Sequence, residues 1–202
     1  MIQDRQLLQL INPAIEVIVH FIGQPLSAGT CAFESELLRE IQSNNSGLVL
    51  YRADGLFKNR EYHTLEKHAV YKLHSAAHGT ELVFTLDKWR GMPAVVVLML
   101  NTAITKQGNF FRLKDFVLNR AAKALFAVGT PVIVGDAAPN GNPVRHKTDF
   151  RRERARDGTP KLVRLYEYLG FSRMKGNNVA LTAENFTRAV GSKLHNKTVK
   201  TG

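Results

Sequence analysis

Two apolar runs rich in β-branched residues, Ala94 to Leu100 and Pro131 to Val134, are separated by a polar stretch with a single glycine, Asn101 to Asn109, and then by one long helical pattern. That arrangement limits the fold more than any other feature of the chain. The helix is expected from about Phe110 to Val128, with Leu113, Phe116, Val117, Ala121, Ala124 and Leu125 on its buried face and Gly129 closing it. A strand, a covering helix and a second strand make a parallel pair, whereas strands with short connections pair antiparallel. Gly135 and Asp136 then stand at the carboxyl end of the second strand.

The other elements surround that unit. Ala14 to Phe21 is a strand candidate. A helix start lies in Ser27 to Thr30, with Phe33, Leu37, Leu38 and Ile41 as its apolar face and Asn44, Asn45 and Gly47 at its end. Gly47 to Ala53 reads as a strand closed by the turn signal Asp54-Gly55. Thr80 to Leu86 and Pro93 to Leu100 are strands joined by a short polar connection that contains Asp87, Lys88 and Gly91. Residues 56–78 carry mixed signals. Farther on, Leu162, Leu165, Tyr166 and Leu169 share one helix face and Gly170 stops that helix. Asn178 to Thr182 is a strand candidate, and Ala183 to Val190 a short last helix. The expected fold class is α/β (α+β): a mixed, mostly antiparallel sheet with a central parallel strand pair, flanked by helices.

A chain of 202 residues fits one domain. Its expected extent is 1–190, with a basic insertion at 139–158 and a flexible basic tail at 191–202 that carries Lys193, Lys197 and Lys200. With 44% hydrophobic and 22% charged residues, neither general disorder nor a membrane span is expected, and the longest apolar run, Met92 to Leu100, is too short to cross a bilayer. One cysteine, Cys31, excludes an internal disulfide. Together with an N-terminus unlike a signal peptide, it gives the cytoplasm as the expected compartment.

Lys and Arg number 28 against 17 acidic residues, a formal charge of +11 that favours encounter with polyanions or acidic protein surfaces. The excess is partly local, at Arg145, Lys147, Arg151, Arg152, Arg154 and Arg156 against Asp149 and Glu153. This segment reads either as a solvated loop or as a clamp for RNA phosphates or an acidic protein. Phe150 is its single aromatic, so backbone phosphate contacts are the expected mode rather than base stacking. His63, His68, His74 and His78 are close in sequence, the last two four apart as on a helical turn, but no Glu or Cys completes a ligand pattern, so no metal site is expected. Cys31 reads as a small apolar residue at a helix start rather than a nucleophile.

The sequence Leu165-Tyr166-Glu167-Tyr168-Leu169-Gly170-Phe171, taken with the element order across residues 94–171, resembles the core of the GNAT family of acetyl-CoA-dependent N-acyltransferases. The resemblance implies acetyl-CoA as acyl donor and a primary amine as acceptor, on a protein, an aminoacyl-tRNA or a small molecule. It implies that the strand at Ala94 to Leu100 bonds the pantetheine arm through its backbone, at Leu98 and Leu100. Lys106, Gln107, Gly108, Asn109 and Phe110 become the pyrophosphate turn at a helix N-terminus, although only Gly108 keeps the family's turn pattern. Tyr166 becomes the general acid for the departing thiolate, and Thr159 stands where the family often has asparagine.

No carboxylate lies on the Ala94 to Leu100 strand, where many members place the general base. The nearest substitutes are Asp87, Asp136 and His146, and Asp136 is preferred because it ends a central strand beside the expected cleft. Phe110, the missing strand carboxylate and the basic insertion also suit a GNAT-like binding or assembly module without catalysis. The net charge alone suits a basic nucleic-acid-binding protein.

Overall fold

The computed structural model describes residues 25–53, 69–102, 110–137 and 158–198. In chain order these form α1 (Ala32–Ser43), β1 (Val49–Arg52), β2 (Val70–Ser75), β3 (Thr80–Trp89), β4 (Met92–Thr102), α2, β5 (Val132–Asp136), α3 (Lys161–Tyr168), β6 (Ser172–Arg173), β7 (Asn178–Thr182) and α4 (Ala183–Thr198). Helix α2 is α-helical over Phe110–Lys114, π-helical over Asp115–Ala122 and α-helical again over Lys123–Ala127, with helical dihedrals at both joins. The expected strand at Ala14 to Phe21, the Asp54-Gly55 turn and the arginines from Arg145 to Arg156 lie outside the described residues.

The described strands make one seven-stranded sheet in the order β1-β2-β3-β4-β5-β7-β6. Only β4 and β5 are parallel; every other neighbouring pair is antiparallel. The mixed sheet expected from the helical crossover is therefore present, with its parallel pair central. Part of the ambiguous stretch 56–78 is strand β2, in which Tyr71 and Leu73 are buried toward the helices. His74 and His78 accordingly do not share a helical turn: His74 is in a strand and His78 in the turn that follows.

Asp87 and Lys88 are not a connection but the end of β3, which runs to Trp89. The turn is the two residues Arg90 and Gly91, with φ of 51° and 79°. Two consecutive positive φ values match the right-handed twist of the flanking strands, which explains the glycine.

Helices from all parts of the chain pack on one face of this sheet. Leu37, Leu38 and Ile41 of α1, Leu113, Phe116, Val117, Leu118, Ala121 and Leu125 of α2, and Val163, Tyr166 and Leu169 of α3 join Leu82, Phe84, Val95, Val97, Ile133 and Leu181 in one core. On the other face Ala94, Val132, Val134 and Ala180 form a second cluster, and Ala53, Val70 and Val83 a third, with no described helix contributing to either. Helix α4 seats Phe186 against Phe126 of α2, ring centroids 5.0 Å apart.

That helix runs on to Thr198 instead of ending near Val190. Gly191 is tolerated at a cost of about 1 kcal/mol, and no proline follows to stop the helix. No described helix is long and apolar enough to cross a membrane.

Candidate functional site

The parallel pair is hydrogen-bonded over a short length only, Val95, Val96 and Val97 facing Ile133, Val134 and Gly135. Beyond that point each strand follows a different neighbour. A β-bulge shifts the register of β4 against β3, so that Phe84 faces Val97 but Val83 faces Met99, and Leu98 is the extra residue. Its effect on direction is visible in the packing. Leu98 and Met99 both pack with Ala53, Val70 and Val83 on one face, while Val97 and Leu100 belong to the core on the other.

After the bulge β4 continues along β3 as far as the Thr80 and Thr102 pair, while β5 stays with β7, Asp136 facing Asn178. The pair thus opens into a wedge at Val97 and Gly135. From Leu98 onward the β5-facing edge of β4 has no ladder partner among the described strands, and such an edge offers backbone groups to an extended ligand. Leu98 and Leu100, expected to hold a pantetheine arm, lie on this stretch.

Tyr166 reaches the wedge from the helical side. It is 7% exposed and makes an edge-to-face contact with Phe171 at 5.2 Å. With Leu82, Val97, Leu100, Val117 and Ile133 it lines an apolar gap of about 10 Å³, too small for a ligand. Burial, assisted by the charge of Asp136, pushes the phenol up to about 12, so the hydroxyl is protonated at neutral pH and is a proton donor. Asp136 is exposed at the end of β5 and lines a groove of about 330 Å³ on the opposite face, together with Trp89, Val96, Leu98, Val134 and Asn178. Val97 borders both the gap and the groove, so Tyr166 and Asp136 lie on opposite faces of the sheet near the same residue of β4.

Of the expected phosphate turn, Lys106, Gln107, Gly108 and Asn109 lie outside the described residues. Phe110 is the first residue of α2. The first N–H groups of α2 have no partner within the helix, as at any helix start.

No family model matches this sequence, and no curated protein matches it. Among solved structures, one described as AtaTR bound with acetyl-CoA is similar over 67% of this chain and 80% of its own, at 16% identity and a TM-score of 0.40. Another, a tyrosine-to-phenylalanine variant of the AtaT toxin bound to the C-terminus of the antitoxin AtaR and acetyl-CoA, is similar over 64% and 76%, at 15% identity and a TM-score of 0.37. The likeness is too slight to fix a family or a role for any residue.

Two polar clusters join residues that no sequence motif links. His78 bridges Ser75 Oγ, 2.9 Å from its Nδ1, and Asp115 Oδ2, 3.1 Å from its Nε2. The order suggests a nucleophilic triad, but Ser75 has no exposed surface, so the group braces the β2–β3 turn against α2. Burial pushes the Asp115 carboxyl up, but hydrogen bonds from Asn119, His78 and Arg120 outweigh it and hold it below its ordinary value. His78 and Asp115 are 37 residues apart, a separation no spacing rule covers.

Glu34 is fully buried and accepts from Thr30 N–H at 2.6 Å, Thr30 Oγ1 at 2.7 Å, Tyr71 Oη at 3.0 Å and Arg52 at 2.6 Å. A glutamate in the first turn, three residues after the N-cap Cys31, was the sequence signal available. Cys31 itself is exposed. His74 Nδ1 lies 3.4 Å from Glu81, which also pairs with the buried Lys72 at 3.2 Å. Among the described residues no three His, Cys, Asp or Glu side chains are grouped to hold a metal.

Proposed function

We propose that the chain is an N-acyltransferase that moves an acetyl group from acetyl-CoA to a primary amine. One observation carries this: the parallel pair opens at a bulge, with a buried protonated phenol on one side and a carboxylate on the other. The free β4 edge at Leu98 and Leu100 binds the pantetheine arm as an added strand and aims N–H groups at the thioester oxygen, where negative charge develops during attack. The pyrophosphate sits at 106–109 and the start of α2. Asp136 takes a proton from the incoming amine, whose nitrogen bonds the thioester carbon. As the C–S bond breaks, its electron pair stays on sulfur, and the Tyr166 phenol supplies the proton.

The formal charge of +11 favours an acceptor on an acidic carrier, an RNA such as an aminoacyl-tRNA or an acidic protein, with Arg145, Lys147, Arg151, Arg152, Arg154 and Arg156 as the contacts. The test of the assigned acid is Tyr166→Phe in a thiol-release assay. The expected result is a fall in kcat of about 10²–10⁴ with acetyl-CoA affinity unchanged. Full turnover by the variant removes Tyr166 from the mechanism.

A further inference from the structure

The groove beside Asp136 has two unlike ends. Its floor is apolar, from Val96, Leu98 and Val134, and Asp136 with Asn178 closes one end. At the other stand Lys88 and Trp89, and the Arg90 guanidinium lies 4.6 Å from the Trp89 ring centroid. Trp89 is half-buried on the second core cluster, so its ring is held rather than free. The volume of about 330 Å³ is at the low end for ligand sites, roughly 300–1,000 Å³, and suits one small group rather than a length of peptide.

We infer that this groove is the acceptor site and that it selects a primary amine borne on an aromatic body, not a polyamine. The inference rests on the acyltransferase reading for the direction of chemistry, though not for binding. An ammonium seats against Asp136, the only carboxylate on the described lining, and the hydrocarbon lies on Val96 and Val134. The ring meets Trp89 in the offset or edge-to-face contact that aromatic pairs prefer. A second ammonium at that end meets Lys88 and Arg90 and is repelled. Once Asp136 takes the ammonium proton, the neutral nitrogen stands at the opening bordered by Val97, where the thioester carbon is proposed to lie. The nitrogen forms its bond to carbon as the C–S bond breaks, and the thiolate takes the Tyr166 proton.

Trp89 is the only tryptophan of the chain, so its fluorescence reports the groove directly and needs no acetyl-CoA. The full chain is titrated with 2-phenylethylamine and, separately, with spermidine. The expected result is a saturable change in emission with 2-phenylethylamine, weakened about tenfold or more in Asp136→Asn, and none with spermidine. A flat titration with 2-phenylethylamine, or an equal response to spermidine, overturns the proposal. In turnover, Trp89→Ala raises the KM for 2-phenylethylamine about tenfold and leaves kcat and calorimetric acetyl-CoA affinity in place. An unmoved KM overturns the proposal as well. Saturable amine binding without any acetyl-CoA binding upholds the groove and sinks the acyl-transfer reading, whereas acetyl-CoA binding with a silent groove does the reverse.

Discussion

At the scale of single residues, burial decides what the titratable groups can do. Tyr166 keeps its proton because a phenolate would be desolvated on the core and would face Asp136, and the resulting value of about 12 is high enough to leave it a donor throughout the physiological range. Its ionisation therefore causes no loss of wild-type kcat up to pH 10 in the same thiol-release assay. A fall centred below that would assign the acid to another group. Glu34 has the opposite sign. Burial pushes its carboxyl up, but bonds from Thr30 and Tyr71 and the Arg52 charge hold it below its ordinary value. A depressed folded value contributes stability that is present above the unfolded pKa, about 4.3, and is lost as pH falls through the folded one. Glu34→Ala leaves Tyr71, Thr30 and Arg52 without their shared acceptor and is expected to cost about 2–4 kcal/mol at pH 7 in urea unfolding. The gap to wild type narrows as pH drops below 4, and a constant gap contradicts the linkage.

At the scale of elements, the Leu-Gly-Phe ending of α3 has a packing role. Gly170 has φ of +92°, and a Cβ there would stand 2.8 Å from the Ala189 Cβ of α4. Backbone and contact both demand glycine, so Gly170→Ala is expected to lower stability by about 2 kcal/mol or more, read as a lower thermal midpoint. An unchanged midpoint shows that α4 does not hold this position. Helix α2 and strand β5 were legible because a 3.6-residue apolar period and a β-branched run suffice to define them. Strand β2 was not, since its alternation of Tyr71 and Leu73 with Lys72 and His74 lasts only two repeats, too short to stand out in a stretch of mixed signals. The sequence spacing puts Leu162, Leu165, Tyr166 and Leu169 on the buried face of α3, but Val163 is fully buried in the core and Leu162 and Leu165 only flank it. Two-residue β6 carries too few side chains to make any pattern.

At the scale of the whole molecule, one crossover organises everything. The helix between β4 and β5 makes the pair parallel, the bulge at Leu98 ends their pairing after Val97, and the wedge so formed stands between Tyr166 and Asp136. The parallel pair could be inferred from element order, because a covering helix permits little else. The bulge could not, since Leu98 and Met99 continue an unbroken apolar run and only the register with β3 shows that both face the same way. Nor could the groove, which joins residues of four strands distant in sequence. The acetyl-CoA site proposed for this wedge is tested by calorimetric titration of the full chain with acetyl-CoA. A saturable heat with a dissociation constant on the order of 1–100 µM is expected, about 5.5–8 kcal/mol of binding, and no heat at high micromolar acetyl-CoA would contradict it.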